Sequence, residues 1–416
     1  MARPQGGQRL SFGVAVSGRR ALVLSAVRTP VARHHGALSG VRVDDLAAVA
    51  IRDAVRRAAI RPEALEEVVC GTVNASGEAM GNPARFASLL AGLPVSVAGS
   101  TVNRYCGSGL TALNQLAHAV AFGDVRAGVA AGAESMSRST WPVPIPSSTK
   151  VPGPLVGRNA MWSGAGGPQH PALEADGTMV EMSEGAQFIA RELGITRAEM
   201  DEYAAESHRR AAAAREAGFF SEEIVPVPLP DGSTFSSDET IRPDTSPDGL
   251  ARLGAFNPES PDLTAGNTCS ANDGASALVI ADEDVADEAG VHPFAEFVAS
   301  AVAGVEPMRF ALGPVVAIQK LLARSGLSVS DIDLFEINEA FAVQMLACIR
   351  ELKLDPGRVN VNGGALALGH ALGNSGVRMS VTLLHELRRR DARYGVVALC
   401  VGGGQGVATL IRKVEP

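Results

Sequence analysis

Three residues of this chain combine a reactive side chain with glycine-rich backbone: Cys106, His370 and Cys400. Cys106 lies in Val102-Asn103-Arg104-Tyr105-Cys106-Gly107-Ser108-Gly109-Leu110, and Cys400 in Leu399-Cys400-Val401-Gly402-Gly403-Gly404-Gln405-Gly406. His370 ends Gly363-Gly364-Ala365-Leu366-Ala367-Leu368-Gly369-His370. Two thiols and an imidazole beside flexible backbone can supply a nucleophile, a base and a proton carrier around one small pocket. Cys106 precedes an expected helix over Ser108–Phe122, where the positive end of the helix dipole favours thiolate. The same context suits a small buried cysteine equally well. His370 alone reads first as a structural hydrogen-bonder. Gly402–Gly404 can offer free N–H groups to an oxyanion, although a glycine triplet is ordinarily a turn. Asn338-Glu339 closes a strand, and Asn338 alone reads most simply as a helix N-cap.

The elements that must position these residues alternate between strand and helix periods, which predicts an α/β protein. Residues 21–26 form an apolar run that reads as the first strand. Asp44 or Asp45 is placed to cap a helix with Leu46, Val49, Ala50 and Val55 at helical spacing. After a break at Arg61-Pro62, residues 67–70 read as a strand entering a glycine turn. The second half repeats this order, with a helix over 315–323, a turn at 328–331 and a strand over 332–337. A Val-Asn pair follows each unit, at 102–103 and 361–362, and each half then reaches a small-residue strand, 125–132 and 396–402. This predicts an internal duplication. Between the halves, roughly 138–262, Pro-, Gly- and Ser-rich stretches at 141–154 and 163–171 precede a helical block over 183–217, heavily charged over 197–215. That segment reads as an insertion hung from the first half, the usual place for specificity.

A chain of 416 residues can bury a large core and divide into two or more domains or halves. Its net charge of −8 leaves no electrostatic footprint for nucleic acid or an anionic membrane. No uninterrupted apolar stretch is long enough to span a bilayer. Five cysteines (70, 106, 269, 348 and 400), few and odd in number, fit a reducing cytosol, and no pair has zinc-ligand spacing. Residues 1–20 carry Arg3, Arg9, Arg19 and Arg20 without an acid and read as a tail, with an organelle transit segment as the alternative to a cytoplasmic protein.

Taken together, residues 101–110, 264–274, 338–342, 360–376 and 399–406 resemble the thiolase family, and the resemblance runs from about residue 21 onward. It implies a duplicated α/β fold of five layers, α-β-α-β-α. In that fold 1–20 is a tail, 21–137 with 263–290 the N-terminal half, 138–262 an inserted loop domain on the coenzyme A side, and 291–416 the C-terminal half. It further implies an acyl-CoA C-acyltransferase: two acyl-CoA molecules give a 3-ketoacyl-CoA and coenzyme A, reversibly, by a ping-pong route through acyl-Cys106. By this resemblance His370 is the base for Cys106, and Cys400 the general acid/base at the α-carbon. His370 and a water held by Asn338 would stabilise the enolate oxygen, and the N–H groups of Cys106 and Gly402 the tetrahedral intermediate. Arg242 is a candidate phosphate contact, a solvated loop arginine being the alternative, while Ala265 and Cys269 lie on the pantetheine side. Coenzyme A thioesters are then substrates, with no permanently bound cofactor or metal implied, and relatives are homodimers or homotetramers.

Four departures from the family pattern stand out. Ala371 replaces a proline and so relaxes the loop that aims His370. Asn374 replaces a smaller residue, and Cys269 a serine that contacts ligand. The segment 174–182, with Ala175 and Asp176, differs most, and in relatives it lines the acyl pocket, so the difference bears on substrate identity more than on reaction type. Two further readings follow. A decarboxylating ketosynthase on the same fold would not need Cys400 as base. A catalytically weak acyl-CoA- or lipid-binding relative draws on the departures at Ala371 and Ala175, against the intact Cys106, His370 and Cys400.

Overall fold

The computed structural model describes residues 18–140, 172–173 and 180–414. Most of the N-terminal tail (1–17), the stretches 141–154 and 163–171, and residues 174–179 with Ala175 and Asp176 lie outside the described residues. At the described end of the tail, Arg19 pairs with Asp282 and Arg20 with Glu296.

The first half runs β1 (Ala21–Arg28), β2 (Ala32–Arg33), α1 (Val43–Ala58), β3 (Glu67–Gly71), α2 (Pro83–Leu90), β4 (Ala98–Val102), α3 (Ser108–Phe122) and β5 (Ala127–Ser135). There follow α4 (Met182–Leu193), α5 (Arg197–Glu216), the ribbon β6 (Val227–Pro228) with β7 (Thr234–Phe235), and α6 (Pro247–Ala251). The rest comprises β8 (Asn272–Ala281), α7 (Glu283–Ala289), β9 (Ala295–Gly304), α8 (Gly313–Ser325), β10 (Leu334–Ile337), α9 (Ala342–Leu352), α10 (Ala365–Leu368), α11 (Ser375–Arg390), β11 (Tyr394–Val401) and β12 (Gln405–Lys413).

Strand order displays the duplication. The ten-stranded sheet runs β10-β11-β12-β9-β1-β8-β5-β3-β4 with β2 beside β8. β4, β3 and β5 are parallel neighbours, then β8 and β1 follow antiparallel. In the second half Val359, β10 and β11 are parallel neighbours, and β12 and β9 follow antiparallel. The halves meet edge to edge where Ala21–Val23 of β1 pair with Phe297–Ala295 of β9.

Alternation along the strands explains the layers, because successive side chains leave a strand on opposite faces. Val68 and Val129 join Leu46, Ala50 and Ile51 of α1 on the outer face of the first half. Their neighbours Val69 and Ala130 point the other way, to Leu113 and Leu116 of α3 and Val381 and Leu384 of α11. Leu399 and Val407 close over the same two helices, while Ala398 and Ala408 face Ile318 and Leu321 of α8. The molecule is thus α-β-α-β-α, with α3 and α11 in the middle layer. Two glycines let these buried helices touch at their N-termini. A Cβ on Gly109 would sit 2.6 Å from the Gly373 carbonyl, and one on Gly376 2.7 Å from Leu110 Cβ. That contact joins the Cys106 and His370 loops.

Three local expectations change. The helical block over 183–217 is two helices, because Gly194 takes the left-handed conformation that ends α4 and Thr196 with Glu199 forms a capping box that starts α5. Asp44 and Asp45 lie inside the first turn of α1, facing the dipole, rather than capping it. Asn338 is not an N-cap: its N–H extends the ladder beyond β10 to Ala398 O at 2.9 Å, and α9 starts only at Ala342.

Candidate active site

Cys106 sits between the end of β4 and the start of α3 on a turn held by its neighbours. Asn103 Oδ1 accepts the Tyr105 N–H at 2.9 Å, and Ser108 Oγ accepts the Arg104 N–H at 2.9 Å while donating to Tyr105 O at 2.6 Å. Tyr105 is thereby held at φ 44°, a strained value for a non-glycine residue. Gly107 needs its missing side chain, since a Cβ there would approach Val401 Cγ2 to 2.8 Å, the strand end beyond Cys400. The result aims the Cys106 sulfur at the backbone N–H groups of Cys106 itself and Gly402, both of which favour negative charge on sulfur.

His370 is buried 3% exposed and fixed at three points. Its N–H donates to Asn272 Oδ1 at 2.8 Å, its backbone bridges to Ala271, and its Nδ1 lies 2.7 Å from Ser375 Oγ. The Ser375 hydroxyl has one proton and donates it to Ala371 O at 2.9 Å. With that proton on Ala371 O, Nδ1 is the nitrogen that donates to Ser375 Oγ, and Nε2 carries the lone pair. Asn338 Nδ2 lies 3.5 Å from that Nε2, and Asn338 Oδ1 is buried without a protein partner among the described residues. An acceptor in that position suits a bound water.

The charge states differ from the thiolate expected at a helix N-terminus. Burial pushes the Cys106 thiol up to about 12, with Glu134 adding to it and the two N–H groups only partly opposing. Cys400, fully buried, is raised well above the usual thiol range, first by burial and then by Cys106. Cys269 is raised as well, by burial and then by Cys106. The three thiols therefore share one desolvated cluster. Burial pushes His370 down to about 3, with Arg378 second. At neutral pH the site holds neutral thiols beside a neutral imidazole, because desolvation outweighs the helix dipole.

Cys106, Cys400, Cys269 and the Gly402 N–H thus lie together, His370 lies against Asn338, and the Gly109–Gly373 contact joins the Cys106 and His370 loops. Arg242 and Ala265 stand apart from the cluster. Arg242 is exposed on the loop after Ile241, anchored through its N–H to His208 Nδ1 at 3.1 Å. Ala265 is exposed on a turn closed by Asn267 Oδ1 on the Thr264 N–H at 2.9 Å. That turn meets the centre through Asn267 O, which accepts the Ala342 N–H, and Ala340 O, which accepts the Cys269 N–H at 3.0 Å.

Three supporting residues escaped the sequence reading. Ser375 sets the imidazole tautomer. Glu339, fully buried, accepts from Tyr203 Oη (2.9 Å), Ser207 Oγ (2.7 Å), Asn360 Nδ2 (2.8 Å) and the Leu366 N–H (3.0 Å), tying α5 and α10 to the strand end that carries Asn338. Glu134 accepts the Val73 (2.9 Å), Asn74 (3.1 Å) and Gly373 (2.9 Å) N–H groups, stapling the first half to the His370 loop. An acidic residue beside Asn338 was visible; its four partners, far apart in sequence, were not.

Comparison with known proteins identifies the family. Residues 21–284 match the family described as thiolase, N-terminal domain, and residues 291–413 that described as thiolase, C-terminal domain. A beta-ketoadipyl-CoA thiolase of Escherichia coli is 43% identical over 404 residues, spanning 95% of this chain and all 100% of that protein. Among solved structures, the Bacillus anthracis acetyl-CoA acetyltransferase superposes with a TM-score of 0.90 at 37% identity, covering 96% of this chain and 100% of that one. Human mitochondrial 3-ketoacyl-CoA thiolase in complex with CoA superposes at 0.89 and 35% identity, covering 96% and 99%. The chain belongs to the thiolase family and so to the acyltransferases that act on coenzyme A thioesters.

Proposed function

We propose that the chain transfers acyl groups between coenzyme A and a 3-ketoacyl-CoA through a ping-pong route with acyl-Cys106 as the intermediate. The observation that carries this reading is the joining of the Cys106, Cys400 and Gly402 cluster to the His370 loop where Gly109 meets Gly373. In the thiolytic direction His370 Nε2 takes the Cys106 proton as sulfur attacks the 3-keto carbon, and the N–H groups of Cys106 and Gly402 hold the oxyanion. Cleavage of the carbon–carbon bond releases an enolate, stabilised by His370 and the Asn338 water, and Cys400 gives its proton to the α-carbon. This leaves acyl-Cys106, an imidazolium and the Cys400 thiolate. The thiolate then takes the proton of incoming coenzyme A, whose sulfur attacks the acyl group, and the imidazolium returns its proton to Cys106.

Arg242 would meet the phosphates of coenzyme A, with Ala265 and Cys269 along the pantetheine, and the working protein would be a homodimer or homotetramer. The name of the Escherichia coli relative makes a dicarboxylic 3-ketoacyl-CoA, beta-ketoadipyl-CoA, the first substrate to assay. Thiolysis is measured as loss of the 3-ketoacyl-CoA enolate absorbance, with beta-ketoadipyl-CoA and acetoacetyl-CoA as separate substrates. Turnover of neither, in a protein that binds coenzyme A, would overturn the reading. Cys400→Ala separates the roles: acyl transfer onto Cys106, seen by mass spectrometry, should survive while condensation falls by about 100-fold or more.

A further inference from the structure

The Cys106 turn and the His370 loop come from opposite halves of the chain, and one short segment lies against both: residues 71–74, at the exit of β3. Gly373 rests directly on it, since a Cβ there would come within 2.6 Å of Thr72 Cα and 2.8 Å of Gly71 O. On the other side the Thr72 N–H donates to Val102 O, at the end of β4, at 3.2 Å. Two side chains make this packing specific. Glu134, 1% exposed near the end of β5, uses Oε2 for two donors at once, the Val73 N–H and the Gly373 N–H, each at 2.9 Å. Asn103 uses both ends of its amide: Nδ2 donates to Val73 O at 3.0 Å, and Oδ1 accepts the Tyr105 N–H at 2.9 Å. A path of hydrogen bonds thus runs from Gly373, just after His370, through Glu134, Val73 and Asn103 to Tyr105, the residue before Cys106.

We propose that Asn103 and Glu134 are positioning residues which, through Val73, set the separation between the Cys106 sulfur and the His370 imidazole. Their hydrogen bonds go to backbone groups, so they act through the loops and not on the reacting atoms. Tyr105 sits at φ 44°, a conformation that persists only where its surroundings hold it, and the Asn103 acceptor is one such hold. The second bond of Asn103, to Val73 O, fixes that amide against the segment on which the His370 loop rests. Glu134 closes the path from the other side, because both of its donors must stay within reach of one oxygen. The close approach of Gly109 to Gly373 brings the loops together. The path through Val73 adds direction, since hydrogen bonds weaken steeply off axis. Proton transfer needs hydrogen-bond reach, and a displacement of about 1 Å slows such a step by on the order of 100-fold.

The inference rests on His370 being the base for Cys106. The test measures kcat and KM for thiolysis of the 3-ketoacyl-CoA that the natural protein turns over, with the urea midpoint of each variant alongside. Asn103 is exposed, and Asn103→Ser keeps an acceptor for the Tyr105 N–H while being too short to reach Val73 O. It should lower kcat by about tenfold or more with KM within about twofold. Glu134→Ala should act likewise. Glu134→Gln loses the charge but keeps an oxygen for Val73 and Gly373, and should return most of the activity. The double variant Asn103→Ser/Glu134→Ala decides the matter. Independent sites multiply their effects, whereas links in one path do not, so it should be no more than about twofold slower than the slower single variant. If Glu134→Ala does not fold, Glu134→Asp, too short to span both donors, takes its place. Full kcat in Asn103→Ser overturns the proposal, as do single effects that multiply in the double variant or a loss confined to the urea midpoint. His370→Asn separates the two layers. Natural kcat in that variant overturns the base assignment, whereas loss there with full kcat in Asn103→Ser overturns the positioning proposal alone.

Discussion

At the scale of single residues, the site is governed by where protons sit. The thiols of Cys106 and Cys400 are both held above their ordinary range by burial, so neither is a ready thiolate. In the proposed mechanism activation comes at the moment of reaction from the His370 imidazole, and Ser375, 2.7 Å from Nδ1, would set its tautomer by accepting from Nδ1. Ser375→Ala is therefore expected to lower kcat by at least about tenfold with KM little changed, and Ser375→Thr to restore most of it. Equal kcat in the alanine variant would show that the tautomer is set elsewhere. The loss of proline at Ala371 is offset in the same way: Glu134 holds Gly373 and Asn272 holds the His370 N–H, so the loop is fixed by hydrogen bonds.

At the scale of elements, the catalytic groups come from strand ends and helix starts tied together by buried carboxylates. Glu339 is the central knot, joining the end of β10, two turns of α5 and the start of α10. Glu339→Gln keeps the shape but loses the charge and one acceptor, leaving a buried donor unmatched. Stability should fall by about 2–4 kcal/mol, read as a lower midpoint in urea. An unchanged midpoint would mean that the knot is dispensable. The elements themselves were largely legible in the sequence. Ser108–Phe122 forms the helix that its spacing predicts, and the matching strand order of the two halves displays the duplication. The Gly194 break was hidden inside a helical composition, because one left-handed glycine leaves the surrounding periodicity intact. The role of Asn338 was misread locally for a related reason: a strand end and an N-cap favour the same residue type.

At the scale of the whole molecule, the middle layer decides the chemistry. Packing α3 and α11 between two sheet faces buries Glu336 and Arg378 with the active site at one end. The folded protein keeps a proton on Glu336 up to about pH 8, whereas an unfolded chain releases it near the ordinary value of 4.5. Through Glu336 the folded state thus binds more protons between those values, and the contribution of this group to stability declines as pH rises from 4.5 to 8. Urea midpoints at pH 5 and pH 8 should therefore drop more in the natural protein than in Glu336→Gln, and equal drops would refute the assignment. The amino-acid sequence by itself determined the α/β grammar, the duplication and, through the segments around Cys106, His370 and Cys400, the family, since these depend on local spacing and on residue types that few families share. Tertiary structure alone decided that burial raises the thiols and lowers the imidazole, and that Ser375, Glu134 and Glu339 hold the loops that carry them. Those properties follow from desolvation and from partners far away along the chain, and no local pattern encodes the water that folding removes.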